Sequence, residues 1–289
     1  MEVNCEGCAG CCIDWRPVAP PDVDHDHERR GPYEPLDAVY NLVPLTGDEV
    51  RTFLRAGLAG ALAPRLWRAP DPADGATVDG VPLAALSGRP VFFVGLRKVP
   101  KPVAPFGRPS TWLQTCTFLD PVTLQCRIHG TDRYPEECAS YPGRNLALDV
   151  ETECERVERA GGGERLLDDA PAGRPPRLDR SALGAKVFVH PDPDELDGRI
   201  RRLLADEPRP ADRATFLAAA AASRPGSAAV DAEKYATARA RALDAEAWVD
   251  GAIAEWRDRA GAPGTPAPEP SVARGVEDDR GAPGTPGWD

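Results

Sequence analysis

The chain has 289 residues, a formal net charge of −11, 42% hydrophobic residues and only 6% aromatics. No stripe rich in Lys and Arg is visible, which argues against a general nucleic-acid binder, and no apolar run approaches the ~20 residues that span a bilayer. Pro (32) and Gly (27) are abundant without any period, so long irregular stretches are expected, with a modest core that metals or cross-links would help to hold.

The densest chemical signal comes first, in Asn4-Cys5-Glu6-Gly7-Cys8-Ala9-Gly10-Cys11-Cys12. This start is acidic and cysteine-rich rather than basic and then apolar, so it does not read as a secretory signal. A cytoplasmic protein is expected, in which eight cysteines serve as metal ligands or redox thiols rather than disulfides. Cys5-x2-Cys8 and Cys8-x2-Cys11 are chelate spacings: a tight turn brings two thiolates three apart onto one metal, and Gly7 and Gly10 permit the positive φ such turns use. As a helix, positions 5, 8, 11 and 12 would share an arc of roughly 120°. Cys11 and Cys12 otherwise diverge, leaving them to different metals or one of them to packing.

Residues 17–35 read as loop, and His25 and His27, within an acidic run, as part of a solvated loop rather than a divalent-metal site. Thr46-Gly47-Asp48-Glu49 is a capping box, and Val50, Phe53, Leu54, Leu58 and Ala61 give the helix it opens one apolar face up to Leu62. Residues 64–90 read as a loop-rich insertion, Val91–Val94 as a short strand, and residues 97–111, with four prolines, as mostly irregular. Asn145–Val150 alternates like a strand. A linker begins at Gly161–Gly163 and runs through Pro171, Pro175 and Pro176, followed by a short strand at Lys186–Val189. Helices are then expected over Asp194–Asp206, Ala211–Ser223 and Val230–Arg259, with Arg199–Arg202 as a solvated charged turn and Trp248 and Trp256 in the core. From Gly261 the periodicity vanishes, and composition predicts a disordered tail.

The second cysteine region reads Cys116-Thr117-Phe118-Leu119, Cys126-Arg127-Ile128-His129, Tyr134-Pro135-Glu136-Glu137-Cys138 and Tyr141-Pro142. Taken with the first run, this series resembles the CxxCxxCC cysteine-cluster family, the YkgJ-like zinc- or iron-chelating proteins. The matching positions include Cys116, Phe118, Leu119, Cys126, Ile128, Pro135, Cys138, Tyr141 and Pro142, and Leu45-Thr46-Gly47-Asp48-Glu49 falls where that family carries an L-T-x-x-E segment. His129 stands where the family has Tyr. The resemblance covers roughly residues 1–160.

The resemblance implies metal ligands at Cys5, Cys8, Cys11, Cys12, Cys116, Cys126 and Cys138. Thiolate-rich sites select zinc or iron–sulfur clusters. The expected cofactor is therefore an iron–sulfur cluster or zinc, as one four-iron cluster with spare thiols, two zinc sites, or one of each. C-x2-C-x2-C commonly caps three corners of a cubane, with Cys138 as a natural fourth ligand and Cys116 and Cys126 as rivals. Cys154, among acidic residues, is disfavoured as a thiolate; His129 stands evenly between ligand or second donor and loop residue, and His190 is structural. The expected fold is irregular α+β: a small metal-centred domain at 1–160, a linker and short strand at 161–193, a helical region at 194–260 and the tail at 261–289. The expected function is cytosolic metal binding, with no nucleic-acid or membrane partner. An iron–sulfur enzyme similar to the flagellin lysine methylases and a zinc-stapled interaction module are the rivals; no glycine-rich cofactor loop, H-E-x-x-H or G-x-S-x-G favours an enzyme.

Overall fold

In the computed structural model, which describes residues 3–25, 32–147, 150–167, 182–205, 208–262 and 264–286, the segment expected to be a loop-rich insertion at 64–90 is most of a sheet. Strand β1 (Glu34–Pro35) pairs antiparallel with β2 (Leu62–Arg68). Strands β3 (Gly75–Val78), β4 (Val81–Leu86) and β5 (Arg89–Leu96) follow as successive hairpins. The reason lies in two dipeptides. Asp79-Gly80 and Ser87-Gly88 hold φ of 54° and 79°, and of 51° and 73°, the consecutive left-handed pair that a two-residue hairpin turn requires. Strand β2 pairs with β5 from Leu62↔Leu96 to Leu66↔Phe92 and meets β4 at Arg68↔Leu83, so the sheet curls.

The proline-rich stretch is also a strand. Strand β6 (Lys98–Val103) forms an antiparallel ribbon with β7 (Thr111–Cys116), from Lys98↔Cys116 to Val103↔Thr111. Pro100 and Pro102 are two residues apart, so their missing N–H groups fall on one side of the strand, where the ladder to β7 does not need them. Strand β8 (Phe188–Val189) completes the sheet beside β5. The short strand expected at Lys186–Val189 is thus present at its second half.

The helices are α1 (Gly47–Arg55), α2 (Glu136–Ser140), α3 (Gly143–Ala147), α4 (Glu153–Gly161), α5 (Arg199–Leu204), α6 (Pro210–Ala222), α7 (Ala232–Leu243), α8 (Trp248–Ala260) and α9 (Pro270–Asp278). Both bonds of the capping box at Thr46 and Glu49 are made. Helix α1 stops at Arg55 rather than Leu62, because Gly57 turns with φ +71°; Leu58 and Ala61 are buried beyond its end. The strand expected from Asn145 is helical through Ala147, and its next two residues lie outside the described chain, as do Pro171, Pro175 and Pro176 of the linker. The helix expected at Asp194–Asp206 is a 3-10 turn (Asp194–Leu196) and α5, parted by Gly198 at φ +70°. The long helix expected at Val230–Arg259 is α7 and α8, separated at residues 244–247.

Helix α6 is buried on nearly every side, as an apolar run without a polar face must be. Among the described residues, no helix is long and apolar enough to cross a membrane. Phe216 of α6 meets Phe92 of β5 edge-on at 5.0 Å, and Phe92 meets Phe188 at 5.7 Å. One hydrophobic core therefore crosses the boundary expected near residue 160. Trp256 is fully buried and Trp248 packs edge-on to Phe118, as expected of core tryptophans. His190 is buried, with Nε2 against Thr215 Oγ1 and Nδ1 against the Asp192 carbonyl, both at 2.8 Å. Its structural role stands.

Arg199 and Arg202 are not a solvated face. Arg202 donates two bonds of 2.7 Å to buried Asp212, and Arg199 one of 3.2 Å. Burial opposes ionisation of Asp212, but Arg202, the Arg209 backbone N–H and Arg199 outweigh it and hold the carboxyl below its ordinary 3.8. A depressed carboxyl stabilises the fold above its unfolded pKa and loses that contribution as pH falls through the folded value. The stability gap between the wild type and Asp212→Asn, read from urea unfolding, should therefore be constant near neutrality and shrink below about pH 4. A gap independent of pH would refute the ion pair's role.

The disordered tail is the largest correction. Glu277 of α9 is fully buried, 2.7 Å from both Lys101 Nζ and Arg127 Nε, whose side chains are also fully buried. Arg127 also approaches Asp120 at 3.3 Å and donates to the Pro283 carbonyl at 2.7 Å, while Thr285 Oγ1 donates to Asp120. Charges that composition counts as solvating are here paired inside the protein.

Candidate metal centre

Residues 5–12 form two successive turns rather than a helix. The Cys8 N–H bonds the Cys5 carbonyl at 3.1 Å, and the Cys12 and Ile13 N–H groups both bond the Ala9 carbonyl, at 2.8 and 3.1 Å. Gly7 takes φ +63° as the spacing requires, but the second left-handed residue is Ala9 at +54°, not Gly10. Gly10 serves close approach instead: a Cβ there would stand 2.9 Å from Val157 Cγ2 on α4.

Three attachments fix this run in space. Ile13 bridges Thr115, the Asp14 N–H bonds the Gln114 carbonyl at 2.7 Å and the Cys116 N–H bonds the Cys12 carbonyl at 2.8 Å, so residues 12–14 lie along the free edge of β7. Lys98 of β6 donates from Nζ to the carbonyls of Cys11 and Ile13, both at 3.3 Å. The Asn4 N–H bonds the Arg165 carbonyl at 2.8 Å.

The downstream thiols come from four separate segments. Cys116 ends β7. Cys126 faces Leu119 across a short antiparallel bridge, which the Arg127 N–H closes on the Phe118 carbonyl. Cys138 lies on α2, and Cys154 on α4 behind a capping box of Thr152 and Glu155. All eight cysteines are unpaired thiols, and all eight line one pocket of about 270 Å³. Cys154, left out of the expected ligand set, is thus among them. His129 is not on the pocket wall: its ring packs on Tyr134. His25 lies against Trp15 and Tyr40, and His27 lies outside the described residues.

The thiols ring the pocket rather than meet at a point. Among the described residues, no three His, Cys, Asp or Glu side chains are grouped as for one metal ion. The two adjacent sulfurs of Cys11 and Cys12 stand 3.9 Å apart. Burial and neighbouring thiols push the Cys5 thiol up to about 12, and burial with Cys116 does the same to Cys126. Cys8, Cys116, Cys138 and Cys154 are also raised, each chiefly by burial. The contact between Cys11 and Cys12 lowers Cys11 and raises Cys12, and the Lys98 ammonium favours the charged form of Cys11. A reduced, polarizable donor set of this size fits zinc or iron–sulfur chemistry.

Sequence reasoning missed the residues around the sulfurs. Glu153 lines the pocket and accepts from Trp15 Nε1 and Tyr40 OH at 2.7 Å each, while its backbone N–H donates to Tyr141 OH at 2.5 Å. Tyr134, Tyr141, Asn41, Lys98 and Arg165 are on the wall too. The tyrosines lay within a quoted motif; Asn41 and Arg165 carry no signal of their own.

No curated protein and no solved structure matches the chain. A family model described as a family of unknown function, DUF7531, matches residues 1–289. The chain belongs to that family.

Proposed function

We propose that this protein binds a metal centre, an iron–sulfur cluster first and zinc second, through its two cysteine series. The observation that carries the reading is that all eight thiols line a single pocket although they are scattered from residue 5 to residue 154. A set of merely packed cysteines would have no reason to converge. One tetrahedral zinc takes four ligands, so eight sulfurs around a volume suit a polynuclear centre or two ions better than one. Cys5, Cys8, Cys11, Cys12, Cys116, Cys126 and Cys138 would hold it, with Cys154 as an eighth donor. The resemblance of both series to the CxxCxxCC proteins supports the same reading.

When bound, such a centre supplies one-electron redox chemistry as a cluster, or Lewis acidity and folding energy as zinc. The chain's own part is to gather thiols from five segments, exclude water from them and neutralise their charge with Lys98 and Arg165. Burial holds most of the thiols protonated, so they give up protons on loading.

The test is purification with and without oxygen, followed by metal and sulfide analysis. A brown anaerobic protein with iron and acid-labile sulfide in stoichiometric amounts is expected. A colourless protein with stoichiometric zinc would select the second form. Neither metal in an anaerobic preparation would end the proposal.

A further inference from the structure

Two hydrogen-bond donors on the pocket wall have no partner among the described residues. Asn41 lines the pocket, and its Nδ2 is buried and unbonded. Its backbone sits at φ +49°, a left-handed conformation that Asn tolerates better than most residues. Arg165 lines the same pocket, and its Nε is likewise buried and unbonded. The rest of Arg165 is tied down beside the first cysteines. One terminal nitrogen donates to the Glu6 carbonyl at 2.8 Å, within the Cys5–Cys8 turn, and the Arg165 carbonyl accepts from Asn4.

Both unbonded polar atoms on this wall, among the described residues, are donors. A buried donor without an acceptor is costly, so the pocket is built for an occupant that accepts. Its charge agrees. Arg165 is permanently positive, and the Lys98 ammonium is anchored between the Cys11 and Ile13 carbonyls. A thiolate–metal centre is both negative and a multiple acceptor through sulfur.

We infer that Asn41 and Arg165 donate N–H bonds to sulfur of the loaded centre and thereby retain it and set its potential. The inference rests on the metal-centre reading and deepens it: it identifies which residues outside the thiols hold the charge. Partners of ligands that are not ligands themselves change metal affinity by about 10–100-fold. N–H bonds to sulfur stabilise the more negative, reduced state, so their loss lowers the potential.

The experiment uses the full chain, loaded anaerobically with iron and sulfide or with zinc alone, and follows release to EDTA. Asn41→Gly keeps the left-handed backbone and removes the donor. Asn41→Asp keeps the shape and turns a donor into an acceptor. Arg165→Lys keeps the charge and withdraws Nε. Asn41→Gly and Arg165→Lys should each release metal about tenfold faster than the wild type, and Asn41→Asp faster still, with unchanged far-ultraviolet circular dichroism before release. With iron bound, a tenfold shift in the oxidised-to-reduced ratio appears as ~59 mV toward negative potential for a one-electron couple. Wild-type release and potential in both Asn41→Gly and Arg165→Lys would overturn the inference while leaving the metal centre intact. Should Asn41→Gly misfold, Arg165→Lys decides alone. A wild-type chain that binds neither metal would instead overturn the metal-centre reading, and this inference with it.

Discussion

Cys8→Ser is expected to lose bound metal and folding stability together. A strongly held metal contributes on the order of 10 kcal/mol to folding, and Cys8 lies at the overlap of the two chelate spacings in the first turn pair. Serine is close to cysteine in size, so the packing lost at this buried position is small. Metal content by elemental analysis and the urea midpoint at constant slope are the two readouts. Unchanged metal content would refute Cys8 as a ligand. A fall in stability with metal retained would assign it to the core instead, where its low exposure, 7%, would also place it.

Glu277→Ala should destabilise the protein by about 3–5 kcal/mol, the cost of breaking a buried pair and leaving its partner charged. Two cations, Lys101 and Arg127, and two carboxylates, Asp120 and Glu277, are fully buried together. Burial raises the Glu277 carboxyl, and Lys101 and Arg127 draw it back toward ionisation. The loss should reach the thiol pocket as well. Lys101 Nζ donates to the Thr117 and Leu119 carbonyls at 3.1 and 2.7 Å, just past Cys116, and Arg127 directly follows Cys126. Metal release to EDTA should therefore accelerate in Glu277→Ala. Denaturation at the wild-type urea concentration would show that the network contributes nothing.

The parts of the fold legible in the sequence were those set by neighbouring residues. The capping box at Thr46 and Glu49, the strand at Val91–Val94 and the apolar helix at Ala211–Ser223 depend on local spacing. The β3–β4 and β4–β5 hairpins were legible in principle, since Asp79-Gly80 and Ser87-Gly88 are hairpin dipeptides, but the short strands between them lack the alternation that would identify them. Pro100 and Pro102 disguised β6, because a proline is compatible with a strand only when the partner lies on the other side. No Gly or Pro marks the break between α7 and α8. The tail was opaque for another reason: composition treats Glu277 and Arg127 as solvated, and only three-dimensional placement pairs them.

The candidate centre divides in the same way. Cysteine spacing exposed the thiols and their two series. Asn41, Lys98, Glu153 and Arg165 stayed hidden, since an amide or a cation acquires meaning only from what it stands beside. Cys154 was masked by its acidic neighbours in sequence, of which Glu153 shares the pocket wall but is held by Trp15, Tyr40 and Arg156.

The buried pairing of Glu277 with Lys101 and Arg127 also fixes an order of events during synthesis. The first cysteines leave the ribosome with Cys5, whereas the carboxylate that secures the Cys116 and Cys126 backbone is made about 270 residues later. At 5–20 residues per second the interval is on the order of tens of seconds. Throughout it, the N-terminal thiols have no finished pocket to enter. Until then the backbone beside Cys116 and Cys126 lacks its buried anchor, so the enclosure of the thiols cannot close before α9 has been made.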